Sequence, residues 1–195
     1  TNMLKILDDL KAELKKANKG DPKYLVSCFG TAPNTVYYST SEYPKFTQFA
    51  SLSDFTAKVN QQVAKTTNAQ VRIVGYSYGG WTAMKVAKDM ELKDAAKITS
   101  LVTIDPISVP NCTPNDFVGS LDTQAAKGCT EAPSDFTSDD VAKIKGRAKV
   151  WSNFYQTDQT ILHSGEIAGS DNTKLTLSPP ATAHGAIVAD NDLHS

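Results

Sequence analysis

The most informative stretch of the chain reads VRIVGYSYGGW, Val71–Trp81. An apolar run ends in a turn of small residues that carries one serine, Ser77, and a segment rich in Ala, Met and Lys follows at once. This order predicts a strand, a tight turn and a helix, which is the setting of the G-x-S-x-G nucleophile elbow. Because Gly75 and Gly79 lack Cβ atoms, strand and helix can pass close together and Ser77 can occupy a strained turn. We therefore predict that Ser77 is a nucleophile.

A serine hydroxyl needs a base within hydrogen-bonding distance before it attacks a carbonyl, and the base needs an orienting acid. Three histidines are candidates: His163, His184 and His194. His184 lies among small residues after a proline pair, late in the chain, which fits the order serine, acid, histidine. His163 falls in a predicted strand and His194 lies beside the last residue. We predict that His184 is the base.

Two aspartates are candidates for the acid. Asp105 and Asp158 each follow a predicted strand, and functional groups of parallel sheets gather at the carboxyl ends of the strands. Pro106 fixes the turn after Asp105 and removes a competing N–H donor. An aspartate before proline can also be a simple turn residue. We predict Asp105 as the acid, with Asp158 as the alternative.

The remaining periodicity predicts strands that alternate with helices in a single domain, residues 1–195. This alternation indicates an α/β fold with a mainly parallel central sheet. An amphipathic helix is predicted over residues 2–19, docked on the sheet, with a position on a membrane surface as the alternative. The other expected elements are strands at 23–28, 35–39, 70–74, 98–104 and 148–155, helices at 51–65, 80–90 and from 137 to about 146, and a hairpin over 161–177.

Residues 106–140 contain four prolines, two cysteines and little periodicity. A loop of this length in a compact domain is usually functional, so we predict a lid-like or substrate-selecting insertion. Cys112 and Cys129 lie within it, and a disulfide between them would close the loop. The alternative is two unrelated thiols of a cytosolic protein. We predict the disulfide and therefore a secreted or periplasmic protein.

Composition excludes several classes of function. The 195 residues carry a formal net charge of −1, so no basic surface for nucleic acid is expected, and no apolar run reaches the roughly 20 residues that span a bilayer. The chain begins Thr1-Asn2, without an apolar signal segment, so we expect that a targeting segment was removed. Neither C-x-x-C, H-E-x-x-H nor a phosphate-binding loop occurs, and we expect no metal and no cofactor.

The segment Gly75–Gly80, the Asp105-Pro106 pair and the late His184 together resemble the lipase/esterase branch of the α/β-hydrolase superfamily. The Asp-Pro pair is similar to that of pancreatic-type lipases. The cutinase group has a similar elbow, but its acid lies closer to the histidine than either aspartate does here. The resemblance implies a three-layer sandwich with helices on both faces of the sheet. It also implies cleavage of a carboxylic ester, lipids included, through an acyl-enzyme.

The resemblance further implies an oxyanion hole. The Tyr78 N–H is one expected donor and the Phe29 N–H the second, with Gly30 as the alternative; many relatives carry His-Gly where this chain has Cys28-Phe29-Gly30. Tyr76 and Trp151 are predicted to line an acyl site, although aromatic residues near a sheet are more often core. Two other functions fit the same residues: a thioesterase or other acyl hydrolase, and a non-catalytic α/β-hydrolase-like binding protein.

Overall fold

The computed structural model describes residues 52–65, 70–92, 97–108, 112, 127–159, 162–179 and 183–187, and the backbone of three strands at 26–29, 36–39 and 47–49. The amphipathic helix expected over 2–19 lies outside these ranges. In chain order the described elements are β1 Val26–Phe29, β2 Val36–Ser39, β3 Thr47–Phe49, α1 Leu52–Ala64, β4 Gln70–Tyr76, α2 Tyr78–Asp89, β5 Lys97–Ile104, α3 Lys127–Thr130, α4 Ser138–Arg147, β6 Trp151–Tyr155, β7 Asp171–Lys174 and α5 Ala183–Ala186.

Strands β4, β5, β6 and β7 form a sheet in that order, and all three pairings are parallel. The predicted α/β class with a parallel sheet is thereby confirmed. Strands β1, β2 and β3 form a second, antiparallel sheet in the same order. The three-residue strand β3 was not expected, because Thr47–Phe49 is too short to show a strand period.

The hairpin expected over 161–177 is wrong, because β7 pairs with β6 in the parallel direction. Gly169 and Ser170 instead lead into β7, which begins with Asp171 and Asn172. Gly169 has φ 86, and the Asn172 side chain both accepts from the Ile167 N–H and donates to the Ile167 carbonyl, at 2.9 and 3.0 Å. These local bonds satisfy the loop backbone without a partner strand, which removes the reason for a hairpin.

The parallel sheet separates two groups of buried side chains, as the alternation of a strand requires. On one face Leu101 of β5 packs with apolar residues of α1, α2 and α4, such as Val59, Met84 and Ile144. On the other face Ile104 packs with four buried residues that follow β7 in the chain, Leu175, Leu177, Ala183 and Ile187. Strand β5 therefore packs against apolar side chains on both of its faces.

Helix α4 begins with a capping box: the Thr137 hydroxyl accepts from the Asp140 N–H, and the Asp140 carboxylate accepts from the Thr137 N–H, both at 3.1 Å. The helix runs one residue past the expected Gly146. Its last residue, Arg147, donates to the carbonyls of Ala87, Lys88 and Met90 at the end of α2. These bonds satisfy carbonyls that a helix end leaves unpaired, and they tie α4 to the elbow helix.

Candidate active site

Ser77 lies between the last residue of β4 and the first residue of α2, as the elbow pattern predicts. Its backbone has φ 57 and ψ −128, a conformation that costs a non-glycine residue about 1–3 kcal/mol. Four backbone hydrogen bonds hold the turn. The Ser77 N–H donates to the Ile104 carbonyl at 2.9 Å, and its carbonyl accepts from Gly80, Trp81 and Ile107 at 2.9, 3.4 and 3.1 Å. The strand next to the elbow thus stabilises the strained residue.

Two glycines make this packing possible. A Cβ atom on Gly75 would collide with the Gly79 carbonyl and would lie 2.8 Å from the Ala83 Cβ. A Cβ atom on Gly80 would lie 2.6 Å from the Pro106 Cβ. The close approach predicted for Gly75 is confirmed. Gly80 serves a second approach that the elbow pattern did not reveal, between α2 and the loop after Asp105.

The side chains of Ser77, His184 and Asp105 come together at the carboxyl end of the parallel sheet. His184 Nε2 lies 2.9 Å from Ser77 Oγ, and His184 Nδ1 lies 2.7 Å from Asp105 Oδ2. Because a carboxylate only accepts, the arrangement that satisfies both contacts has a proton on Nδ1 and a lone pair on Nε2. In that tautomer the imidazole accepts the serine proton, which is the geometry that a general base requires.

Asp105 is wholly buried, and its backbone has φ 42. Its Oδ1 accepts from the Ser164 N–H at 2.8 Å, and its Oδ2 accepts from the Gln156 side chain at 2.8 Å as well as from His184. A buried carboxylate is tolerated only when it is hydrogen-bonded and paired in this way. Asp105 therefore has the surroundings expected of an orienting acid.

Asp158, the alternative acid, points elsewhere. Its Oδ2 accepts from the Leu177 N–H at 2.7 Å, and its own N–H donates to Gln156 Oε1 at 2.9 Å. These bonds hold the chain after β6 against the chain after β7. The structure thus places Asp105 against the imidazole of His184 and gives Asp158 a backbone partner.

The backbone of His184 is held at both of its polar groups. The Tyr76 hydroxyl donates to the His184 carbonyl at 2.6 Å, and the His184 N–H donates to Gln159 Oε1 at 2.9 Å. The Tyr76 and His184 rings also pack together, with centroids 4.9 Å apart. Burial, helped by the nearby Asp105 carboxylate, raises the pKa of Tyr76, so the phenol stays protonated and remains a donor. Tyr76 was predicted to bind substrate, and the contacts seen here are with the base.

Trp151, the other residue predicted to line an acyl site, lies elsewhere. It is the first residue of β6 and pairs with Leu101 in the middle of β5, whereas Ser77 follows the carboxyl end of β4. Only 4% of it is exposed, and its indole Nε1 donates to Thr103 Oγ1 at 3.4 Å. Trp151 belongs to the apolar core under the helices, and its substrate-binding role stays a prediction.

The predicted oxyanion donors are placed in part. Tyr78 is the first residue of α2, directly after Ser77. Phe29 ends β1, a strand that contacts α2. Gly30 lies outside the described residues. The oxyanion roles of all three stay predictions.

The described parts of the predicted insertion are bonded to each other and to the elbow helix α2. Cys112 and Cys129 form the predicted disulfide. The Tyr78 hydroxyl donates to the Cys112 carbonyl at 2.7 Å, which links the disulfide to the elbow helix. Asp135 accepts from Trp81 Nε1 at 2.8 Å and pairs with the Lys85 ammonium at 3.0 Å. Residues 109–111 and 113–126 lie outside the described part, and a lid function stays a prediction.

Sequence reasoning missed the three residues that support the acid and the base: Gln156, Gln159 and Ser164. The available signal was position, because Gln156 directly follows strand β6 at the same end of the sheet as Asp105. Within the described ranges no cluster of His, Cys, Asp or Glu is arranged to hold a metal ion. In the same part of the chain no helix has the length and apolar character that crossing a membrane requires.

The chain matches no model of a known protein family, no curated protein and no solved structure. The geometry of the site therefore carries the functional inference.

Proposed function

We propose that the protein is a serine hydrolase that cleaves carboxylic esters through an acyl-enzyme on Ser77. One observation carries the proposal: a hydroxyl, an imidazole and a buried carboxylate stand in line, with contacts of 2.9 and 2.7 Å, and the hydroxyl is on a strained turn after a parallel strand. A structural serine needs neither the strain nor the base. Geometry and roles, rather than sequence position, identify a catalytic triad.

In the proposed reaction His184 Nε2 takes the proton from Ser77 Oγ as the oxygen attacks the ester carbonyl carbon. The imidazolium that forms is stabilised by Asp105 through Nδ1 and then gives its proton to the departing alcohol. Water enters, loses a proton to the same nitrogen and attacks the acyl carbon, which releases the acid and restores Ser77. Asp105 stays ionised throughout and keeps the imidazole in the required tautomer.

The negative charge that develops on the carbonyl oxygen needs donors. Tyr78 begins α2, a helix of 12 residues, so its N–H belongs to the positive end of the helix dipole. We assign the Tyr78 N–H as the first oxyanion donor and the Phe29 N–H, with Gly30 as alternative, as the second. Loss of one such donor raises the barrier by about 3 kcal/mol.

The proposal extends to the complete fold and its location. We propose the three-layer α/β-hydrolase sandwich, supported by apolar groups on both faces of the parallel sheet and by α5, which contributes Ala183 to the second face. We also propose a secreted or periplasmic location, supported by the disulfide between Cys112 and Cys129, because disulfides persist in oxidising compartments.

A fluorophosphonate probe tests the nucleophile directly, because it reacts only with a serine that a base has activated. We expect stoichiometric labelling of the wild type and of Ser170→Ala, and no labelling of Ser77→Ala. Ser170 is a matched control, since its hydroxyl donates to the Ile167 carbonyl at the turn before β7, away from the elbow. A folded wild type that stays unlabelled would rule out the proposed nucleophile.

Substrate class is tested with p-nitrophenyl esters, acyl thioesters and peptides offered side by side. Esters should give the highest kcat/KM, whereas a preference for thioesters would favour the thioesterase alternative. Hydrolysis should be lost at acidic pH, because a protonated imidazole cannot accept the serine proton. A rate that stays flat to pH 4 would contradict a histidine base.

A further inference from the structure

Gln156 is the first residue after β6, and its side chain is wholly buried beside the proposed acid. Burial of a polar amide is unfavourable unless each of its hydrogen-bonding groups finds a partner. The presence of an amide at this buried position, where an apolar side chain of the same size would need no hydrogen-bonding partners, therefore requires an explanation.

All four hydrogen-bonding positions of the Gln156 amide are used. Nε2 donates to Asp105 Oδ2 at 2.8 Å and to the Leu162 carbonyl at 3.0 Å. Oε1 accepts from the N–H groups of Asp158 and Gln159, both at 2.9 Å. A reversed amide would set its NH2 against two N–H donors and its oxygen against a carboxylate, so the partners fix its direction.

These hydrogen bonds fix the orientation of the Asp105 carboxylate. Oδ2 of Asp105 receives both the Gln156 amide and the His184 ring, while Oδ1 receives the Ser164 N–H. With both oxygens held, the carboxyl plane cannot rotate, and the lone pair of Oδ2 stays directed at Nδ1. A free carboxylate would sample orientations in which the imidazole turns away from Ser77, and small misplacements of catalytic groups cost large factors in rate.

We propose that Gln156 is a positioning residue of the triad, which fixes the Asp105 carboxylate against His184 and couples the acid to the loop that holds the base. The second link runs through Gln159, whose N–H is held by Gln156 and whose Oε1 accepts from the His184 N–H. The proposal rests on the proposed serine hydrolase function. It assigns Gln156 no contact with substrate.

The substitution Gln156→Glu keeps the size of the side chain and exchanges the donor for a second carboxyl group. Ionised, Glu at this position cannot donate to Asp105, and its charge favours the protonated imidazole. With p-nitrophenyl acetate at pH 7 we expect kcat to fall about tenfold with KM unchanged, and the acid limb of the pH–rate profile to move up by about one pH unit. The other titratable side chains nearby are Tyr76, bonded to the His184 carbonyl, and Asp158, bonded to Leu177.

Asn153→Asp is the matched control. Asn153 is a wholly buried amide on β6, the strand that Gln156 follows, and its side-chain partners are Thr103, Gly165 and Asn172 rather than the triad. Its acid limb should coincide with that of the wild type. An unchanged limb in Gln156→Glu, or equal shifts in both variants, would refute the positioning role. A wild type without turnover or labelling would instead refute the serine hydrolase itself.

A measurement on the unsubstituted protein covers the case in which Gln156→Glu does not fold. In protein labelled with ¹⁵N-glutamine, the two side-chain N–H protons of Gln156 should exchange slowly with solvent. Their chemical shifts should change with pH at the same midpoint as hydrolysis. The reason is that protonation of His184 places a positive charge beside Asp105 Oδ2, the oxygen to which Gln156 donates. Fast exchange, or shifts that do not follow the midpoint, would contradict the proposal.

Discussion

Two polar clusters lie along the parallel sheet, one around Asp105 directly after β5 and one around Asn153 on β6. We call them the acid cluster, made of Asp105, Gln156, Ser164 and His184, and the amide cluster, made of Thr103, Trp151, Asn153 and Asn172. In the amide cluster Asn153 Nδ2 donates to Gly165 and Asn172, and its Oδ1 accepts from Thr103 at 2.9 Å. Asn153 and Asp105, the central residues of the two clusters, are both wholly buried and hydrogen-bonded.

The clusters differ in charge and in backbone strain. The amide cluster is neutral, and its central residue Asn153 lies within strand β6. The acid cluster contains the Asp105 carboxylate, which contacts His184, and His184 in turn contacts Ser77. Asp105 and Ser77 both have positive φ, 42 and 57. Residues are held in such conformations mainly at functional sites. Burial and bonding alone therefore do not separate a catalytic cluster from a structural one, whereas strain and charge directed at a nucleophile do.

The largest effect that this comparison predicts follows from Asp105→Asn. An amide next to Nδ1 favours the wrong tautomer of His184, and we expect kcat for p-nitrophenyl acetate to fall by about 10⁴-fold with little change in structure. Steady-state kinetics, with circular dichroism to verify folding, measures it.

Asp158→Asn is the control for that substitution, because the amide oxygen still accepts from the Leu177 N–H. Its kcat should stay within about threefold of the wild type. A large loss in Asp158→Asn together with a small loss in Asp105→Asn would reverse the assignment of the acid.

The amide cluster should respond in stability. Asn153→Ala leaves the partners of a wholly buried side chain unpaired, and we expect the free energy of unfolding to fall by about 3 kcal/mol. Urea denaturation monitored by tryptophan fluorescence gives this value. Under native conditions the folded variant should still react with the fluorophosphonate at close to the wild-type rate. A folded variant that loses its labelling would show that the two clusters act as one.

The sequence predicted those parts of the molecule that depend on local pattern. The elbow around Ser77 and the helix that begins near Thr137 depend on residues close together in sequence, and the structure contains both. The close contact of Asp105 with His184 was expected from strand order, while the choice between Asp105 and Asp158 required three dimensions. Both aspartates follow strands of the parallel sheet, and the path of the chain after β7 decides which of them faces the imidazole.

The features that the sequence did not reveal also depend on the three-dimensional path of the chain. Gln156 is an ordinary polar residue in sequence, and its role arises from partners contributed by separate loops. Trp151 carries an aromatic ring suited to a pocket, but β6 places it beside Leu101 in the core under the helices, and its substrate-binding role stays a prediction. Strand direction also decided the false hairpin, since a parallel partner and an antiparallel one require similar residues along the strand itself.

The smallest effect concerns the capping box of α4, a polar contact made at the surface. The backbone hydrogen bond from Thr137 is the main cause that lowers the pKa of Asp140. A lowered pKa means that the folded state prefers the ionised carboxylate. This contribution is therefore fully present above about pH 4, the ordinary range of aspartate, and is lost as the pH falls through the lowered value. Asp140→Asn should reduce the urea midpoint at pH 7 and have less effect at pH 2, whereas Asp139→Asn, the same charge change one residue earlier, should show little such difference. An equal loss of stability for Asp140→Asn at both pH values would contradict a role of the ionised carboxylate in the cap. A loss as large as that of Asn153→Ala would show that a surface contact can stabilise the fold as much as a buried one.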